Sequence, residues 1–197
     1  MNNVDLIKLY FEEKAAIAKN IEIEKIFKLT EKLLETYDND GIVYVMANGG
    51  GASAAEGFAT DLRTHPFVLD DKSVTTNLRR LKVVALTESS GALTGISNDI
   101  GYDFIFSEQL KNFMRSKEIN KNDIIIAFSG SGNSKNIINA INYAKEFSVF
   151  TSCISGRDGG KLKDISDLSV IIKGSSNFPG QTGKNDNNFH IEDFQVS

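Results

Sequence analysis

The chain has 197 residues, enough for one domain with a sizeable apolar core. Its 22 basic and 26 acidic residues leave a net charge of -4, which gives no general attraction to nucleic acid or to an anionic membrane. Cys153 is the only cysteine and no apolar run approaches ~20 residues, so an intrachain disulfide and a helical membrane span are excluded; with no basic stretch and apolar core behind Met1, a cytoplasmic protein in a reducing compartment is expected.

The chain opens on two helical stripes. Leu6, Leu9, Tyr10, Ile17 and Ile21 recur at near-helical spacing, and Ile23, Ile26, Phe27, Leu33, Leu34 and Tyr37 do so again, with Lys and Glu on the opposite faces. Asp38-Asn39-Asp40-Gly41 supplies the turn that ends the second. The pattern then changes to short, nearly unbroken apolar runs at 42–47, 83–86, 124–128, 149–154 and 168–172. Unbroken runs mean strands buried on both faces, hence a parallel sheet covered by helices. Between them lie an Ala-rich segment at 52–62, an amphipathic segment at 105–114 and the stripe Ile137, Ile141, Ala144. This alternation predicts an α/β fold, a doubly wound parallel five-stranded sheet flanked by helices. A single domain over 1–197 is expected, with a helical segment at 1–40 and the α/β core from 41 onward. Two polar stretches, 64–80 and 174–188, read as long loops, and Cys153 as a buried structural thiol.

Three of the predicted strands run into small-residue turns at their carboxyl ends, where ligands bind in such sheets. Asn48-Gly49-Gly50-Gly51-Ala52-Ser53 follows the first. Its glycines let backbone approach a ligand closely, although a bare strand-to-helix turn would use them too. Ser129-Gly130-Ser131-Gly132-Asn133-Ser134 gathers hydroxyls and backbone donors ahead of a helix, which makes a phosphate site. It lacks the Gly-Lys-Ser/Thr ending of a Walker loop, and Ser131 or Asn133 could instead be an ordinary cap. Thr87-Glu88-Ser89-Ser90-Gly91 is the third turn; Asn98-Asp99 beyond it could cap the next helix. His65 and His190 read as surface, capping or interface residues, and Arg63, Arg79 and Arg80 as exposed charges within possible reach of a phosphate.

Together with Ser97-Asn98-Asp99-Ile100-Gly101-Tyr102, Ile105-Phe106-Ser107 and Gly156-Arg157-Asp158-Gly159-Gly160, these stretches resemble the sugar isomerase (SIS) domain family. They are most similar to its phosphoheptose isomerases, which interconvert sedoheptulose 7-phosphate and glycero-manno-heptose 7-phosphate. The resemblance runs along nearly the whole chain. It implies a small-molecule sugar phosphate as partner, and a homotetramer built partly by the N-terminal helices. By position it implies that Asn48, Gly49 and Gly50 contact the sugar, that Asn98 and Asp99 contact its hydroxyls, and that Ser129, Gly130, Ser131 and Ser134 hold the phosphate, Gly130 standing where relatives often have Thr.

Two departures bear on catalysis. Relatives carry a zinc-binding His four residues before a catalytic Glu on the helix after the Asn-Gly-Gly turn; this chain has Gly57 and Asp61 there. Zinc is implied by the resemblance and opposed by Gly57, neither histidine falls at the matching spacing, and no other cofactor is expected. Near the C-terminus, Ile191-Glu192-Asp193 matches the start of a helix that in relatives bears a Gln or Glu and, eight residues on, a catalytic His. Glu192 takes the first place and the His would fall at about position 200, beyond Ser197; a register with Asn187 and Gln195 is the alternative. Asp61 as base and Glu192 as orienting or proton-transfer partner are the catalytic candidates, burial beneath the sugar raising Asp61 toward neutrality. The competing expectation is a non-catalytic member of the family that senses sugar phosphates or binds a protein partner such as the replication initiator.

Overall fold

The computed structural model describes residues 2–70, 72 and 75–173. Five strands form one parallel sheet in the order β2-β1-β3-β4-β5. They are β1 (Ile42–Ala47), β2 (Lys82–Ala85), β3 (Ile124–Ser129), β4 (Phe150–Gly156) and β5 (Leu168–Ile172). The expected parallel sheet is present, with its strands displaced by no more than two residues from the apolar runs.

Each strand is apolar on both sides because both sides are covered. Val43, Val45, Ala47, Ile124, Ile126 and Phe128 face α2 (Ile23–Asp38) and α3 (Gly50–Thr64), packing on Leu29, Ala55 and Ala59. Tyr44, Met46, Ile125, Ala127 and Cys153 face α5 (Ile105–Leu110) and α7 (Lys135–Lys145), packing on Phe106, Leu110, Ile137 and Ile141. Fully burying one such side chain stabilises the fold by about 1.5–3 kcal/mol. Cys153 belongs to this core, its Sγ 3.1 Å from the Ser169 hydroxyl. The alanines of α3 are good helix formers and small enough to bring its backbone close to the sheet.

Before the sheet, α1 (Asn3–Lys19) is held at its start by a reciprocal capping box between Asn2 and Asp5, and Ile17 is its one buried residue. Three helices were not visible as sequence patterns: α4 (Ser90–Asp99), α6 (Lys117–Asn120) and α8 (Leu162–Ile165). Asn98 and Asp99 therefore close α4 rather than cap the next helix. The polar stretch after α3 begins with a 3-10 turn, His65–Phe67, and an isolated bridge between Val68 and Thr75. The segment 174–197, with Glu192, Asn187, His190 and Gln195, lies outside the described residues. Among those described, no helix is long and apolar enough to cross a membrane.

The amino ends of β1 and β3 are pinned by a buried carboxylate. Asp123 Oδ1 accepts the Ile42 N–H at 2.8 Å and Oδ2 accepts from Asn120 Nδ2 at 2.8 Å. Burial pushes the Asp123 carboxyl up, and these two bonds oppose the rise. Asp123→Ala leaves the Ile42 N–H without this acceptor and Asn120 Nδ2 with only its 3.5 Å bond to Phe113 O, and is expected to destabilise the fold by about 2–4 kcal/mol. Thermal unfolding should show a midpoint lower by about 10 °C.

Candidate functional site

In a sheet of order 2-1-3-4-5 the chain leaves β1 toward opposite sides for β2 and β3, which opens a crevice at the carboxyl ends of β1 and β3. Two of the three turns singled out in the sequence flank that crevice.

At the end of β1, Gly49 holds φ 57 and ψ -131, a conformation closed to other residues, and turns the chain directly into α3. This leaves Asn48 at the crevice. Its Oδ1 accepts from Asn136 Nδ2 at 2.8 Å and from the Tyr102 hydroxyl at 2.9 Å, while its Nδ2 donates to Asn136 Oδ1 at 2.9 Å. Neither Asn136 nor Tyr102 was assigned a role from sequence. Asn136 offered a signal: it sits on the buried stripe with Ala140 and Ala144, and an amide on an apolar stripe must find a partner.

At the end of β3, the loop 129–134 is built from its own polar groups. Ser129 Oγ accepts the Gly132 N–H at 3.1 Å, and Ser131 Oγ accepts the Asn133 N–H at 3.2 Å. Asn133 donates to Ser131 O at 2.9 Å and accepts the Lys161 N–H at 3.0 Å. Ser131 and Asn133 are thus occupied within the loops and do not cap α7. Ser134 holds the cap position, and its hydroxyl makes no capping bond. The first amides of α7, the positive end of the helix dipole and that hydroxyl gather hydrogen-bond donors of the kind that suit an anionic oxygen. The loop after β4 buttresses it, with Leu162 N–H bonding Gly132 O at 3.0 Å. At Gly130 an added Cβ meets nothing within 4 Å, so a larger residue would fit there.

The third turn is structural. Ser89 caps α4 through the Ala92 N–H at 3.1 Å, and Glu88 is clamped by Arg63 at 2.6 and 3.1 Å. The other arginines are engaged within the chain too. Arg79 bonds Asp40 and lies over the Tyr37 ring; Arg80 lies over the Phe67 ring. Hydrogen bonds from Lys82 and then Arg79 hold the Asp40 carboxyl below its usual range. Asn98 and Asp99 are exposed on the last turn of α4, bonded to each other at 2.8 Å, and the segment after it carries Tyr102 to Asn48.

Asp61 lies eleven residues beyond Gly50 on α3, about 16 Å along the axis. Its carboxylate is not buried in the chain: the side chain is 63% exposed and pairs with His65 Nδ1 at 3.2 Å. His65, read from the sequence as a surface residue, is 67% exposed, and its imidazole meets this carboxylate at the surface. Gly57 supplies no donor, and among the described residues no three His, Cys, Asp or Glu side chains gather to hold a metal. The zinc implied by the resemblance therefore lacks its ligand set among these residues. An added Cβ at Gly57 meets nothing within 4 Å. Gly57→Ala is expected to stabilise the fold by about 0.5–1 kcal/mol, a midpoint rise of about 1–4 °C on thermal unfolding.

Comparison with known proteins agrees with the geometry. The SIS domain family model matches residues 9–156. The phosphoheptose isomerase of Helicobacter pylori (strain P12) is 37% identical over 171 residues, covering 85% of this chain and 82% of that protein. Among solved structures, a phosphoheptose isomerase from Neisseria gonorrhoeae superposes with a TM-score of 0.69 at 27% identity, covering 96% of this chain and 92% of its own. One from Francisella tularensis gives 0.73 at 23% identity, covering 100% and 97%, a likeness of fold. A strand order that opens the crevice, a serine loop that fills one wall of it and a sequence match along most of the chain agree: this chain belongs to the SIS domain family, alongside the phosphoheptose isomerases it matches.

Proposed function

We propose that the chain is a phosphoheptose isomerase, converting sedoheptulose 7-phosphate to D-glycero-D-manno-heptose 7-phosphate, an aldose–ketose isomerisation through an enediol. The observation that carries this reading is the crevice between β1 and β3, with Asn48 on one wall and the serine loop on the other. The phosphate is held by Ser129, Gly130, Ser131 and Ser134 at the start of α7. Asn48, Gly49, Gly50, Asn98 and Asp99 meet the sugar oxygens. Asp61 removes a proton from C1 of the ketose and returns it to C2, while the O1 proton passes to O2; Glu192 orients the sugar or relays that second proton. The product would supply heptose to surface polysaccharide from the cytoplasm.

A homotetramer fits two features. Ile7, Phe11, Ile23, Phe27 and Leu34 are exposed on α1 and α2, a large apolar area for a monomer to leave in water. Asp61 also lies about three helical turns beyond Gly50 with its side chain 63% exposed, which suits a base presented to the crevice of a neighbouring copy. Phe27→Asp is expected to shift the assembly to smaller species in light scattering, with dissociation of at least about tenfold more subunits at equal concentration.

The test is incubation of the full-length protein with sedoheptulose 7-phosphate, with and without zinc, following the aldose. Turnover in both conditions is expected. Binding without turnover in either would overturn the enzyme reading in favour of a non-catalytic sugar-phosphate binder.

A further inference from the structure

The hydrogen bonds around Asn48 fix more than its position. A backbone N–H can only donate, and the Ile137 N–H lies 3.0 Å from Asn136 Oδ1. That contact settles which end of the Asn136 amide is oxygen. Its Nδ2 must then face Asn48 Oδ1, and its Oδ1 must receive Asn48 Nδ2. Tyr102 adds a second donor to Asn48 Oδ1. A carbonyl oxygen accepts two hydrogen bonds, so Asn48 Oδ1 is saturated, while one of its two Nδ2 hydrogens has no partner among the described residues.

We propose that Asn136 is a positioning residue that locks the Asn48 amide, so that Asn48 meets the ligand as a single hydrogen-bond donor. The inference rests on the sugar phosphate reading and adds a chemical rule to it. The group placed against Asn48 is an oxygen offering a lone pair, such as the sugar carbonyl, the enediolate oxygen that replaces it, or a hydroxyl whose proton points elsewhere. A hydroxyl that needs an acceptor finds none there.

The lock also joins the two ends of the ligand. Asn136 is two residues beyond Ser134 and is 2% exposed. The first turn of α7 thus presents its amides to the phosphate and its buried amide side chain to Asn48. A molecule that carries both a phosphate and a correctly spaced oxygen engages one rigid turn twice; inorganic phosphate engages it once. Tyr102 adds its bond from the segment after α4, the stretch that bears Asn98 and Asp99.

Asn136→Ala removes the lock without adding charge beside the phosphate, and Tyr102→Phe removes one bond from a residue that is half exposed. Calorimetric titration of full-length protein with sedoheptulose 7-phosphate and, separately, inorganic phosphate reads the effect. For Asn136→Ala, affinity for the sugar phosphate should fall about 10- to 100-fold and that for inorganic phosphate by less than about threefold. Tyr102→Phe should shift the same ratio by about three- to tenfold. In turnover, kcat/KM should follow the sugar phosphate affinity. Equal losses for both ligands, or no loss, would overturn the proposal by leaving Asn136 a structural residue of α7. If Asn136→Ala does not fold, an unchanged ratio in Tyr102→Phe overturns it instead. A wild-type chain that binds the sugar phosphate without turning it over sinks the isomerase reading but leaves these ratios decisive. One that binds the sugar phosphate no tighter than inorganic phosphate overturns the inference at once.

Discussion

Gly132→Ala is expected to abolish phosphate binding while the sheet stays folded. Gly132 sits at φ 64, and a Cβ there would lie 2.0 Å from Gly159 O and 2.5 Å from Gly159 C. The obstacle is backbone, not a side chain that can swing away. The left-handed conformation alone costs an L-residue about 1–2 kcal/mol, and relieving the overlap must part the loops after β3 and β4. Two bonds break with that separation, Leu162 N–H to Gly132 O and Lys161 N–H to Asn133 Oδ1. The total loss should be about 2–4 kcal/mol in urea unfolding, and affinity for inorganic phosphate should fall at least about 100-fold. Gly130→Ala, two residues away, is the control. Its Cβ meets nothing, so phosphate affinity should stay within about threefold of wild type. Wild-type phosphate affinity in Gly132→Ala would show that the loop does not carry the phosphate.

The contrast between these two glycines marks the limit of what the sequence discloses. Both read as parts of a phosphate loop; only the packing of Gly132 on Gly159 tells them apart. The strands were legible because burial on both faces makes them continuous apolar runs, as at Ile124, Ile125 and Ile126. Helix α7 was legible from its Ile137–Ile141 spacing. Helix α4 was not, since Gly91 and Gly95 lower its propensity and Ser89 caps a segment with no strong stripe. With α4 unseen, Asn98 and Asp99 looked like a cap for the next helix. The four-residue α6 and α8 are too short to show a period.

The same division holds in the site. The ends of β1 and β3 were found because glycine and serine come directly after an apolar run. The Asn48–Asn136 pair spans 88 positions and the Tyr102–Asn48 bond 54, and such pairings are set by strand order, not by local pattern. His65 is the surface residue that the sequence suggested, 67% exposed; only its contact with Asp61, four residues back, was not read there.

Asp61→Asn tests the chemistry itself. Asparagine keeps the shape of the side chain and cannot accept a proton, so kcat should fall by about 10²–10⁴ while sugar phosphate affinity changes less than about threefold. Proton transfer beneath a bound sugar needs a site closed to water, and the single chain does not give Asp61 that covering, its side chain being 63% exposed. The helix rise of about 16 Å from Gly50 to Asp61 points to the same requirement, because it sets the carboxylate about three turns from the end of α3 that Asn48 precedes. Both are met if one copy presents Asp61, with His65 beside it, to the crevice of another. Mixed assemblies read this directly. Asp61→Asn lacks the base but keeps the cradle, and Gly132→Ala lacks the cradle but keeps the base. Copies of the two variants assembled together should recover turnover that neither has alone. Asp61→Glu, which restores the longer carboxylate of the relatives, should retain at least about a tenth of wild-type kcat. Full turnover in Asp61→Asn would move the base to another side chain. Loss in Asn, recovery in Glu and rescue in the mixture would place the proton transfer on a carboxylate here, delivered across an interface between copies.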